Sequence, residues 1–436
     1  MSTWRTEETR ARVIATKRAS GIPCGDRPRA SQRGATLIST LVFVIVIAGT
    51  SSSLLLVSTV NTERVTLNST SVEALQTAQV GVAQAMYELS IGADMDDSQG
   101  IGNVEGSIGK GDYGVTATPL DGRFYRLDAT GRISGVSRRI EVIVAPIPTT
   151  VFKYGLGGVE SMSVSGGFQT DSFDRDLGTY YSQAVNVDDF GVYATPWGHI
   201  GCNGTLSVGG ASTIIRGDAR PGPGVNIDWD GNATILGTTR SLEQTLDFPP
   251  PEYSEFEEAY NTNDNAKIPD IPGLNYDDRD MSLSLNAGAV LNLPPGTYFF
   301  SSLRVNGGAS LVVTGTTKIY LIEDLDATGG SLINPSGEAS NFSFVAYPYR
   351  MPGLPPPPRT VNVNFSGSSD TAFSIYAPAH HITIGGGTDV FGAIVGHTID
   401  ARGAFFHYDE SLGYHETLEF QPYGRVAYRE LSQPAL

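Results

Sequence analysis

The chain has 436 residues, with Asp+Glu 46 against Lys+Arg 29 and a formal net charge of -17. That length allows more than one domain, and the acidic balance excludes a nucleic acid partner, whose phosphates it would repel. Gly 51, Pro 25 and only 17% charged residues point to short strands joined by turns rather than to a helical protein.

The first 34 residues run against that balance. Basic side chains from Arg5 to Arg33 outnumber Glu7, Glu8 and Asp26. Residues 35–57 then carry no charge. As a helix this run would be about 35 Å long, enough to cross a hydrocarbon core of about 30 Å. The hydroxyls of Thr50, Ser51, Ser52 and Ser53 can bond back to the helix's own carbonyls, so lipid tolerates them. A buried core helix is the competing reading, but such helices seldom run so far without a charge. The basic flank predicts a single-pass inner-membrane protein, its N-terminus cytoplasmic and its body periplasmic. A secretory signal peptide is the other alternative, with small residues at Ala48–Ser53 as its cleavage region. If the run spans a membrane, Cys24 and Cys202 lie on opposite sides and cannot pair. Two isolated cysteines also make no zinc site of the CxxC kind.

The junction Ser31-Gln32-Arg33-Gly34-Ala35-Thr36-Leu37-Ile38 resembles a prepilin peptidase site, where a basic leader ends in Gly and the apolar helix starts at once. The resemblance implies cleavage between Gly34 and Ala35. It places Ser39 at the fifth mature position, where major pilins usually carry Glu. The segment is most similar to the PilX-type minor pilin N-terminal family, and Ala78-Gln79-Val80-Gly81-Val82-Ala83-Gln84-Ala85 resembles the small-residue stretch that follows the span there. The likeness covers about the first quarter of the chain and implies a minor rather than self-polymerising subunit.

No Pro interrupts residues 35–91, so one long helix over 35–92 is predicted, stopped at Gly92. Val72, Leu75, Val80, Val82, Ala83, Met86 and Leu89 fall on one stripe of it. Residues 103–146 alternate in strand fashion and predict a small antiparallel meander, placed to pack on that helix. From residue 150 to 436 a strand–Gly-Gly–strand motif recurs, as in Val164–Phe168, Val208–Ile214, Val305–Leu311, Ala327–Ile333 and Ile384–Val390. Loose self-similarity near 20 residues predicts a parallel β-helix-like domain, with a β-sandwich as the alternative. Two insertions interrupt it, near 248–280 with a short helix at Tyr253–Tyr260, and near 347–359 in polyproline geometry.

The fold class expected is therefore mainly β behind one long transmembrane helix. Candidate chemistry is sparse. His407, Asp409 and Glu410 sit together, and a metal reading would draw on His380, His381, His397 and His407. Strand alternation puts His380 and His381 on opposite faces, so they cannot share an ion. The pairs Asp228/Asp230 and Asp324/Asp326 keep open a β-helix enzyme that cleaves polysaccharide. No GxxxxGK[ST], HExxH or GxSxG motif is present. The expectation is no catalytic residue, no metal and no cofactor. The function expected is a minor pilin or pseudopilin-like component of a type IV pilus or type II secretion system. Its partners would be a prepilin peptidase, other pilins, membrane lipid and a surface or carbohydrate ligand of the β body. The alternative is a membrane-tethered polysaccharide-active enzyme.

Overall fold

The computed structural model describes residues 33–95, 100–120, 123–358, 360–366, 370–387, 389–414 and 422–431. The leader up to residue 32, with Cys24, lies outside the described residues. The chain forms two units, Met1–Thr70 and Ser71–Leu436. Its architecture is one long apolar N-terminal helix followed by many strands.

Helix α1 spans Arg33–Ile91. In the first unit its large apolar side chains, Leu41 to Ile47 and Leu54 to Val57, are all exposed. Thr50, Ser52 and Ser53 donate to the carbonyls of Ile47, Ala48 and Gly49, so these three hydroxyls find their acceptors within the helix. In the second unit the helix is half-buried against β1 (Val104–Ile108), β2 (Gly111–Pro119), β3 (Tyr125–Ile133) and β4 (Val136–Pro146). The stripe that does this is the expected one in part: Val82 and Leu89 are in the core, and Leu75 and Met86 pack against it. Ala74, Ala78, Val82, Ala85 and Leu89 are buried, whereas Val72 and Ala83 are exposed. At Ala74 and Ala78 the sheet comes too close for large side chains. A Cβ on Gly131 of β3 would lie 2.1 Å from the Ala74 carbonyl oxygen and 2.5 Å from the Ala78 nitrogen. Small residues on both elements allow that approach. Val115, Leu127, Ile140, Val142 and Val144 complete the small core.

The meander has a fifth strand that the sequence reading assigned to the body. Tyr423–Leu431 pairs antiparallel with β4, giving the order β1-β2-β3-β4 and then the C-terminal strand. The body is thus inserted between two neighbouring strands of the helix-bound sheet. The run Tyr423–Leu431 has no Gly-Gly turn and alternates like any strand, so only its partner reveals where it belongs.

The body is a parallel stack of coils, not a sandwich. Leu283, Leu303, Leu325, Val363, Ile382, Ile399, Met162 and Leu206 are register partners in turn and form one buried column. Each such side chain contributes about 1.5–3 kcal/mol on burial. Gly-Gly turns make corners between the strands of a coil, and at Gly307-Gly308 both residues take positive φ, 62° and 74°.

The column also shows an order of coils that differs from the order of sequence. The first coil, β5 (Leu156–Ser165) and β6 (Gln169–Phe173), pairs on one side with strands at residues 200–208 and 214–215. On its other side it pairs with the last coil, Asp389–Arg402 and Phe405–Asp409. The chain starts in the middle of the stack, winds to one end near residue 235, and returns to the other end near residue 274. It then winds back until its last coil meets its first.

Residues 236–281 make that return along the side of the stack. Leu246 exchanges bonds with Asn203, and Tyr376 and Tyr349 donate to the carbonyls of Pro249 and Pro251. Helix Tyr253–Thr262 then lays Phe256 against Tyr320, and Tyr260 against Phe299. The far end is closed by an antiparallel strand, Leu274–Asp277, on Ser282–Leu285.

Candidate functional site

The expected processing positions Gly34 and Ala35 fall in the first turns of α1. Ser39 lies on its exposed surface one turn on. Among the described residues, α1 is the one helix long and apolar enough to cross a membrane.

In the body, the outward side chains along the seam between first and last coil form a second site. Val390, Phe406 and Thr170 point inward and are buried, so Asp389, Phe405, His407, Gln169 and Asp171 point out. His407 and Asp171 are register partners, and Nδ1 of His407 is 2.5 Å from Oδ1 of Asp171. Asp171 Oδ2 accepts from the Tyr180 hydroxyl at 2.9 Å and from the Ala194 amide at 3.1 Å. Tyr180 is pushed above the usual tyrosine range, chiefly by burial and then by Asp171. The imidazole packs against two rings that also touch each other, Tyr180, 4.0 Å between ring centres, and Phe391, 4.7 Å and nearly parallel. With Nδ1 committed to Asp171, Nε2 has no partner among the described residues.

Residues 174–198 leave the coil after β6 and roof this pair. Their hairpin, Asn186–Asp188 with Gly191–Tyr193, is tied down by Arg216, which grips Asp188 at 2.8 and 3.0 Å. That pairing holds the Asp188 carboxyl below its ordinary range. Between roof and coil lies an open cleft of 380 Å³ lined by Asp171, Tyr180, Phe190, Arg216, Asp389, Phe405 and His407 among others. Asp389 is held above the usual carboxyl range by desolvation, an effect opposed by His407.

Asp409 and Glu410, adjacent to His407 in sequence, serve the fold instead. Asp409 accepts from the amides of Arg175 and Ser411 and from the Ser411 hydroxyl. Glu410 accepts from Ser172 and Thr195. Nearby, Arg123 from the turn before β3 reaches Asp174 and Asp176. These contacts fasten the end of the last coil to the first.

The other candidates are scattered. His380 is buried, with Nε2 on the Glu323 carbonyl, while its neighbour His381 faces outward to Thr398. His397 pairs with Glu160 at 2.9 Å. His381 and His397 share a separate cleft of 500 Å³ without His407. Among the described residues no group of three His, Cys, Asp or Glu is placed to hold a metal ion. Asp228 accepts from Ser207, and Asp230 closes a turn through Gly210 and Asn232. Asp324 accepts from Asn362, and Asp326 from Thr328. The two pairs belong to coils in different halves of the stack, so they form no common site. Cys202 is free and buried, its thiol pushed up to about 11 by burial.

Sequence reasoning found His407 but missed Asp171, Tyr180, Asp389 and Arg216. Their positions in the chain carry no motif, and only the coil order brings them together.

Comparison with known proteins adds three findings. A family model described as a domain of unknown function, DUF7305, matches residues 256–415, from the side helix to the end of the last coil. No curated protein matches. Among solved structures, the competence-associated pilin ComZ from Thermus thermophilus is similar over 83% of this chain and 97% of that one, with 10% identity and a TM-score of 0.31.

Proposed function

We propose that the chain is a minor pilin or pseudopilin-like component of a type IV pilus or type II secretion system. One observation carries the reading. Helix α1 exposes apolar side chains all round in its first part and buries small ones under a sheet in its second. Water would not tolerate such a surface, which suits either lipid or a bundle of similar helices. The helix would sit in the inner membrane with its N-terminus cytoplasmic and its body periplasmic until extracted into a fibre. A prepilin peptidase would cut between Gly34 and Ala35. Ser39 offers other pilins only a hydroxyl where a Glu would offer a charge for the neighbouring amine. The inserted β body would then be displayed for assembly, adhesion or surface contact.

The test is co-expression with the assembly machinery. Alone, the chain should build no long homopolymer. Beside a major pilin it should label fibres sparsely under the electron microscope, and lose that labelling when residues 35–57 are deleted. Long fibres from this chain alone would refute the minor role, and unchanged labelling after the deletion would refute the helix's part in it.

A second reading, a tethered polysaccharide-active enzyme, draws on His407, which Asp171 orients at the seam cleft beside Asp389. We favour a non-catalytic body because such cleavage draws on two carboxyl groups, and in the cleft Asp171 is taken up by three donors, which leaves Asp389 alone, while the Asp-x-Asp pairs are engaged in turns and neighbouring coils. Depolymerisation of a polysaccharide panel that stops with His407→Gln would reverse that preference.

A further inference from the structure

The seam cleft has one carboxylate that the fold does not use. Asp171 already takes three donors and Asp188 is gripped by Arg216. Asp389 lines the cleft, half-buried, and accepts no hydrogen bond from a described residue. His407 Nε2 is likewise unused. A desolvated acceptor without a donor is costly unless something supplies one.

The charges around it narrow what that is. An anion would meet Asp389 and Asp171, and Arg216, the one Lys or Arg among the described residues lining the cleft, is neutralised by Asp188. A metal ion would need more free ligands than Asp389 and one imidazole nitrogen. What fits is an uncharged molecule rich in O–H donors. Its other face must be apolar, because Phe190 and Phe405 line the same cleft 41% and 40% exposed. A pyranose ring has both features: hydroxyls on its rim, and a face of C–H bonds that suits the negative face of an aromatic ring. The cleft volume of 380 Å³ lies near the small end of the range for ligand pockets, about 300–1,000 Å³.

We infer that the seam cleft binds an uncharged saccharide, with Asp389 and His407 Nε2 taking its hydroxyls and Phe405 and Phe190 packing against its ring faces. This binding does not depend on the pilin reading, since it is measured on single chains whether or not they enter a fibre.

The experiment uses the full chain in detergent micelles and four uncharged tetrasaccharides: cello-, malto-, xylo- and chitotetraose. Tetragalacturonate is the acidic comparator. Binding is followed by saturation-transfer NMR and calorimetry. At least one uncharged tetramer should saturate the protein, and the acidic one should bind more weakly. Asp389→Asn and Phe405→Ala should each weaken binding by roughly tenfold, the size of one lost hydrogen bond to a charged group. Asp228→Asn, on another coil, should bind like the parent. If Phe405→Ala does not fold, Asp389→Asn alone decides, since it is isosteric. The inference is overturned if no uncharged tetramer saturates below about 10 mM. It is also overturned if the acidic one binds tightest, or if Asp389→Asn binds like the parent.

Discussion

His407 and Asp171 face each other across the strand pair where the last coil lies on the first, 236 positions apart in sequence. Their contact lies in the seam that stacks the two halves of the body on each other, halves that the strap of residues 236–281 joins in sequence. It also sets the imidazole in the wall of the cleft. One pair therefore serves both the architecture and the site.

A clasp of this kind should show as coupling. Removing one member of a buried ionisable pair costs about 3 kcal/mol, because the other is left without its partner. His407→Ala and Asp171→Ala should each cost about that much in urea unfolding of the full chain in detergent. The double variant should cost at least about 1 kcal/mol less than their sum. Simple additivity would show that the two do not act together.

Two other buried groups give opposite responses to acid. Burial raises Asp409 from 3.8 to about 6, against the bonds from Ser411 and the Arg175 amide. Between those values the folded chain holds this proton more tightly than the unfolded chain does. The group's stabilisation is full below 3.8 and is lost as pH rises through 6. Burial lowers His380 from 6.5 to about 4. Its stabilisation is present above 6.5 and is lost as pH falls through 4.

The two effects oppose each other between about pH 4 and 6, each on the order of 3 kcal/mol. Asp409→Asn keeps an acceptor oxygen for Ser411 and leaves the His380 limb alone, so this variant should lose stability on acidification faster than the parent. His380→Leu should lose it more slowly. Thermal melts from pH 4 to 7 read the difference, and parallel profiles for the two variants would contradict the assignment.

Gly131 sets how closely the sheet approaches α1. Gly131→Ala places a Cβ against helix backbone, which cannot rotate away, and should cost about 1–3 kcal/mol. Gly114→Ala in β2 is the control, since its Cβ would meet only the Glu105 side chain at 3.9 Å. The reading is proteolysis within residues 71–91, faster for Gly131→Ala and unchanged for Gly114→Ala.

Much of this fold was legible locally. The uncharged run, its back-bonding hydroxyls, the meander and the Gly-Gly corners all follow from neighbours in sequence. His380 and His381 fall on opposite faces, as strand alternation requires. Coil order was not legible, because Ile399 would fit Met162 or any other apolar partner equally well by pattern. The choice is made by the strap, whose Pro249 and Pro251 carbonyls meet Tyr376 and Tyr349 on successive coils. The stripe on α1 was legible at Leu75, Val82, Met86 and Leu89 and missed at Val72 and Ala83 for a related reason. Periodicity marks a face, but Gly131 on another element decides that Ala74 and Ala78, not Val72, lie under the sheet. The site inherits both problems, since Asp171 and Asp389 become neighbours of His407 only after the first and last coils meet.

The central claim concerns the helix rather than the cleft, and the N-terminus of the mature chain tests it most directly. Cells with a prepilin peptidase should yield a chain that begins at Ala35 by mass spectrometry, and Gly34→Val should leave it unprocessed. A mature chain that begins near residue 54, beyond the apolar run, would mean that α1 is a discarded signal and would contradict the pilin reading.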